Sequence, residues 1–146
     1  MRRHRRRIST HPSLGRYTVN RTSKGTIEEA VANAVKQFHR EQHGRGPTEV
    51  RTHLMGNILL VCCTGIFTPT ELRLTTSAAG QRLIKSARHE WHNIVHADIE
   101  TIISRIVGNK VLRSYYDLNV DANEQLEVYM LERCGESPTQ GAPHHP

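Results

Sequence analysis

The polar and apolar positions of this chain change period several times, and each change predicts an element. From Thr26, "TIEEAVANAVKQFHREQHG" sets Ile27, Ala30, Val31, Ala34, Val35 and Phe38 three and four residues apart, the signature of a one-sided amphipathic helix. Thr26 and Glu29 have the spacing of a capping box, and Glu28 and Glu29 suit the positive end of the helix. Gly44 is a natural stop, and Pro47 bars any continuation.

The period then drops toward two. "TEVRTHLMGNILLVCCTGIF" reads as two strands joined at Gly56-Asn57, a pair suited to the positive φ values of a tight hairpin. Val50, Thr52 and Leu54 alternate along the first strand, whereas the second is continuously apolar, as a central strand is. Next, "GIFTPTELRL" carries Thr68 and Glu71 three apart with Pro69 at the first helical position, which predicts a capped helical turn. A long helix from about Ser77 to Val107 follows, with Leu83, Ile84, Ala87, Trp91, Ile94, Val95, Ile99, Ile102, Ile103 and Ile106 on a face expected to be buried throughout. Gly108-Asn109 ends it. "KVLRSYYDLNV" and "EQLEVYMLE" read as a second hairpin turning at Asp121 to Asn123, with Leu126, Val128 and Met130 on one face of the last strand. The order α-β-β-α-β-β predicts an α+β fold: a four-stranded, mainly antiparallel sheet with two main helices on one face. The other face would be open or covered by a partner, and a free face or edge of this kind suits a homodimer.

Composition changes this picture at the ends. A chain of 146 residues forms one domain, and its 36% hydrophobic content implies that part of it is unpacked. Residues 1–24 hold eight basic side chains and no acidic ones; against the chain's net +6 that leaves −2 for residues 25–146. Residues 1–25 therefore read as a disordered basic tail, 26–133 as the domain, and the Pro/Gly-rich 134–146 as a second tail. Arg2, Arg3, Arg5, Arg6 and Arg7 could neutralise phosphates of a nucleic acid or an anionic surface, and the alternative is a solvated leader. No apolar run approaches the ~20 residues needed to cross a bilayer. The three cysteines fit a reducing compartment, with neither a zinc spacing nor a disulfide framework. A soluble cytoplasmic protein is the expectation.

Several short motifs then stand in order: "GRGP" (Gly44, Gly46 and Pro47), "GIFTPTE" (Gly65, Thr68, Pro69 and Glu71), "AAGQRLIKSAR" (Ala78 to Arg88, with Gly80), "IVGNKV" around Gly108, a strand carrying Asp117, and "VYMLE". Together they resemble the MpsC-like, or YbcI-like, family of small bacterial domains, named for component C of a sodium-translocating, membrane-potential-generating system. The resemblance covers about residues 26–133. The basic tail is no part of the family pattern, and "TTSAAG" carries less charge than the usual stretch before the long helix. The resemblance implies a cytoplasmic accessory domain linked to bicarbonate or cation transport, with a protein partner such as a membrane transport subunit. It supplies no catalytic residue and no cofactor.

The candidate chemistry is thin. His89, His92, His96 and Glu100 share a helical stripe that could present imidazoles to a metal. That stripe lies more than 100° from the centre of the apolar face and is expected to be largely solvated. His39 and His43 form a similar pair. Cys62 or Cys63 could act as a nucleophile with His53 as base, but adjacent cysteines in an apolar strand suit core filling better. "GRGP" lacks the Lys-Ser/Thr of a phosphate loop and precedes a strand. Tyr115 and Tyr116 are adjacent on a strand, so they present no paired platform for bases. The motif residues read as structural.

Overall fold

In the computed structural model, residues 23–132 are described. The Arg2–Arg7 cluster, Cys134, residues 1–22 of the first tail and the whole of the second lie outside them. The elements run α1 (Lys24–His43), β1 (Glu49–Met55), β2 (Ile58–Thr64), α2 (Pro69–Leu74), α3 (Ala78–Val107), β3 (Val111–Asn119) and β4 (Glu124–Leu131). The four strands form one sheet in the order β1-β2-β4-β3, and all three pairings are antiparallel. Helix α1 lies on β1, α3 lies on β3, and the two helices touch each other across the same side of the sheet. The expected α+β architecture is what the chain adopts.

Local chemistry explains the element ends, with two differences from expectation. Helix α1 starts earlier than Thr26: Ser23 is the cap, and its hydroxyl accepts from the Thr26 amide at 3.2 Å. Ser23 and Thr26 have the same three-residue spacing as Thr26 and Glu29, so the cap one turn upstream gains a further helical turn. At the β1–β2 turn, Gly56 has a positive φ of 59° and Asn57 does not. Glycine at the first central position alone is the II′ pattern. The α2 corner forms as its sequence predicts: Thr68 Oγ1 accepts from the Glu71 amide, and Glu71 Oε1 accepts from the Thr68 amide.

The core sits between helices and sheet. Val31, Val35 and Phe38 of α1 meet Leu59 and Val61 of β2, Ile84, Val95, Ile99 and Ile103 of α3, and Tyr129 and Leu131 of β4. Helix α3 departs from its expected burial. Its buried residues include Arg88 and His92, whereas Leu83 and Ile94 stand 63% and 72% exposed. The buried arc is rotated away from the most apolar arc toward the His/Arg side. The reason lies below it: the inward residues of β4 and β3 include Gln125, Glu127 and Tyr116, and polar helix residues are needed to partner them.

A candidate functional site in a buried polar seam

Successive side chains of β4 point to opposite faces, and the helices on one side of the sheet bury every second one. Gln125, Glu127, Tyr129 and Leu131 point under the helices, while Leu126, Val128 and Met130 face the open side. Glu127 is thereby wholly buried. Tyr129 donates to Glu127 Oε2 at 2.6 Å, Gln125 Nε2 donates to Glu127 Oε1 at 3.2 Å, and His92 Nδ1 stands 3.7 Å from Oε1. Burial pushes the Glu127 carboxyl up to about 7, with the Tyr129 hydrogen bond pulling the other way.

Gln125 extends the seam to α1. Its amide nitrogen lies 3.2 Å from His39 Nε2, and with the amide in this orientation the imidazole accepts and carries its proton on Nδ1. Burial, then the neighbouring His43 and Arg88, holds His39 down to about 3. His39 and His43 pack against Trp91, with ring centroids 5.5 and 4.4 Å away.

Arg88 closes the seam at the α2 corner. It is 2% exposed, and its guanidinium grips Glu71 twice, Nε to Oε2 at 2.7 Å and Nη2 to Oε1 at 2.5 Å. Nη2 also donates to the Ile66 carbonyl at 3.0 Å, and Nη1 donates to His43 Nε2 at 3.1 Å. Burial alone would raise the Glu71 carboxyl, but the bonds from Arg88 and Thr68 together hold it below its usual value. Burial and the Arg88 charge drive His43 down to about 4. Near neutral pH the seam is thus a fixed ion pair flanked by neutral imidazoles, with Glu127 the carboxyl that burial raises toward neutrality.

The histidine stripe on α3 does not act as one unit. His92, expected in solvent, is buried and stacked on Tyr116 at 4.2 Å, and burial followed by His96 and His89 lowers it to about 4. His89 is half-exposed, 3.9 Å from Asp117, and His96 donates Nδ1–H to the Asn93 carbonyl. Glu100 accepts from the Ser114 hydroxyl on β3. Among the described residues no three His, Cys, Asp or Glu side chains converge on a point that could hold a metal ion. The Tyr116 hydroxyl and Gln125 Oε1 are buried without a hydrogen-bond partner among the described residues.

The two strand cysteines separate as their adjacency dictates. Cys63 is in the core, where burial raises its thiol well above the usual range. Cys62 faces the open side opposite Arg51, not His53, and burial raises it as well.

The remaining motif positions surround the corner. Gly65 (φ 65°) passes so close to Thr48 that a Cβ would lie 2.1 Å from its hydroxyl. Asn123 Oδ1 accepts from the Ile66 and Phe67 amides at 2.9 and 3.0 Å, and Arg45 donates to the Phe67 carbonyl. Gly80 abuts the Leu74 carbonyl. Gly44 and Gly108 cap α1 and α3, Gly46 and Pro47 carry the chain from α1 to β1, and Asp117 stands exposed on β3. The sequence marks Asn123 only as a turn residue and gives Gln125, Glu127 and Tyr129 no role. The one signal is the alternation over Gln125–Val128 in "EQLEVYML", which leaves open which set is inside.

Fold and seam together define a small α+β domain built around a corner clamp and a buried carboxylate. The chain belongs to the MpsC family: the family model described as "Na+-translocating membrane potential-generating system (MpsC)" matches residues 23–133. It is similar to the uncharacterized protein YbcI of Bacillus subtilis (strain 168), with 31% identity over 109 residues, covering 75% of this chain and 88% of that protein. No solved structure matches.

Proposed function

We propose that this chain is a non-enzymatic accessory module of a Na+-translocating, membrane-potential-generating system, acting on the cytoplasmic side through a protein partner. Family membership supports the link to that system. No helix among the described residues is long and apolar enough to cross a membrane, so contact with a membrane-embedded subunit is the route by which the described domain would act there.

The observation that carries the reading is the outer row of α3. Leu83 and Ile94 are eleven residues apart, three helical turns, and both stand in water on the same side of the helix. A pair of large apolar side chains held on a rigid helix suits docking to another protein. The use of the seam's groups supports a binding role over a catalytic one: Arg88 spends its donors on Glu71, Ile66 and His43, inside the fold.

The test is site-specific photocrosslinking in cells, with the crosslinking residue placed at position 83 or 94 of the full chain. The expected product is an adduct with an integral-membrane transport subunit, and deletion of the gene should reduce Na+-dependent membrane potential. Absence of any membrane-protein adduct from both positions, with an unchanged potential in the deletion strain, would overturn the proposal.

A further inference from the structure

The open face of the sheet is ordered in rows. Strand registers align Arg51, Cys62, Leu126 and Asp117 across the sheet; then His53, Leu60, Val128 and Tyr115; then Met55, Ile58, Met130 and Arg113. Glu49, Thr64, Glu124 and Asn119 complete the face at one end. Its middle is apolar on both central strands, while the charges sit on the edge strands and at that end. Outward on β1 stand Glu49, Arg51 and His53, and outward on β3 stand Asp117 and Arg113, so each edge carries both signs at different levels.

We infer that this face binds a second copy of the same chain, face to face, about a two-fold axis running along the strands. Two sheets stacked in this way keep their strands nearly aligned. Such an axis exchanges the two edges of the sheet while keeping each row at its own level. The partner's β3 then lies over β1, and its β4 over β2. Arg51 meets the partner's Asp117, Leu60 meets the partner's Val128, and Ile58 meets the partner's Met130. An axis across the strands would do the reverse. It would set Arg51 against the partner's His53, Glu124 onto the partner's Met130 and Glu49 onto the partner's Met55 with no ion pair, whereas the first arrangement forms the Arg51–Asp117 pair and leaves Arg113 as the one charge facing a partner methionine, Met55. The charge pattern selects the first arrangement.

The groups needed are available. Asp117 is exposed at the sheet edge, where Oδ1 accepts from its own Leu118 amide and lies 3.9 Å from His89 of α3, so its carboxylate has to turn from the helix side to meet Arg51. Arg51 is exposed too, with one long contact from Nη2 to Cys62 Sγ at 3.7 Å. Seven residues along each of four strands make a face of roughly 24 by 19 Å, or about 900 Å² over two copies. That is just under the ~1,000 Å² a specific interface should clear, the size of a weak, concentration-dependent dimer. The outer row of α3 lies away from this face, so the dimer and the accessory role stand or fall separately.

Sedimentation equilibrium of the full chain from about 2 to about 200 µM tests it. The expected result is a monomer–dimer equilibrium. Val128→Glu should abolish the dimer while keeping the wild-type circular dichroism and thermal midpoint. Arg51→Glu and Asp117→Arg should each weaken association, roughly tenfold because each interface holds the pair twice, and the double variant should restore it. Both positions are exposed, so these variants remain informative even where Val128→Glu disturbs folding. A monomer at every concentration overturns the inference and leaves the face to a different protein. Unchanged association in Val128→Glu, or no restoration in the double variant, overturns it as well.

Discussion

Arg88 and Glu71 lie seventeen residues apart on different helices, and they meet through two charge-assisted hydrogen bonds that lock α2 against α3. The pair is largely screened from water, so each charge depends on the other. Removing one partner strands the other, a loss of about 3–5 kcal/mol. Arg88→Met and Glu71→Leu should each cost on that order in urea unfolding. The double variant should cost less than the sum, because no unpaired charge remains. Additive losses would show that the pair does not act as a unit.

Glu127 makes stability depend on pH in the direction opposite to most carboxylates. Its folded value is raised from 4.5 to about 7, so the folded chain keeps a proton that the unfolded chain releases. Its contribution is fully present below pH 4.5 and is lost as pH rises toward 7. Glu127→Gln preserves an acceptor for the Tyr129 hydroxyl without a charge. Relative to wild type, this variant should gain stability progressively between pH 4.5 and 7, by roughly 3 kcal/mol at most, then hold that gain. Urea titrations at several pH values measure it, and a difference that does not vary with pH would refute the assignment.

The imidazoles work from the acid side. His39, His43 and His92 are lowered from 6.5 to about 3, 4 and 4, so the folded chain holds them neutral. Their contribution is complete above pH 6.5 and fails as pH falls toward 4. Three such groups outweigh the single opposing carboxylate, so wild-type stability should decline below pH 6.5. His92→Phe, which retains an aromatic ring over Tyr116, should make that decline shallower by about one proton. An unchanged acid slope would contradict the burial of His92.

Backbone contacts give a sharper contrast between two glycines. A Cβ on Gly80 would lie 1.9 Å from the Leu74 carbonyl oxygen, whereas one on Gly44 meets open space at φ 78°. Gly44→Ala should cost roughly 1 kcal/mol, the penalty for a left-handed residue. Gly80→Ala has to push α2 and α3 apart, and its loss should be several times larger. Thermal melts of the two variants compare them directly.

Legibility followed locality. The Thr68–Glu71 cap, the long helix with its Ser77 start and Gly108 stop, and both hairpins depend on neighbours within a few residues, which a sequence displays. The seam depends on pairings such as Gln125 with His39 and Arg88 with Glu71, between segments whose relative placement no local pattern encodes. Periodicity even pointed the wrong way for His92 and Leu83. The apolar arc of α3 is broad, and the polar underside of β4 decides which part of that arc turns inward. The motif around Arg88 was visible as a string, but its role as a clamp was not.

The position of β4 has a consequence for synthesis on the ribosome. The last strand of the described fold is inserted between β2 and β3, and its preceding turn supplies Asn123 to the β2–α2 corner. Until residues 123–131 emerge, β2 offers a free backbone edge and the corner amides of Ile66 and Phe67 lack their acceptor. Folding is thus held back until nearly the whole domain has been translated, and a nascent chain stalled before β4 should be protease-sensitive and prone to pairing with other unfinished chains.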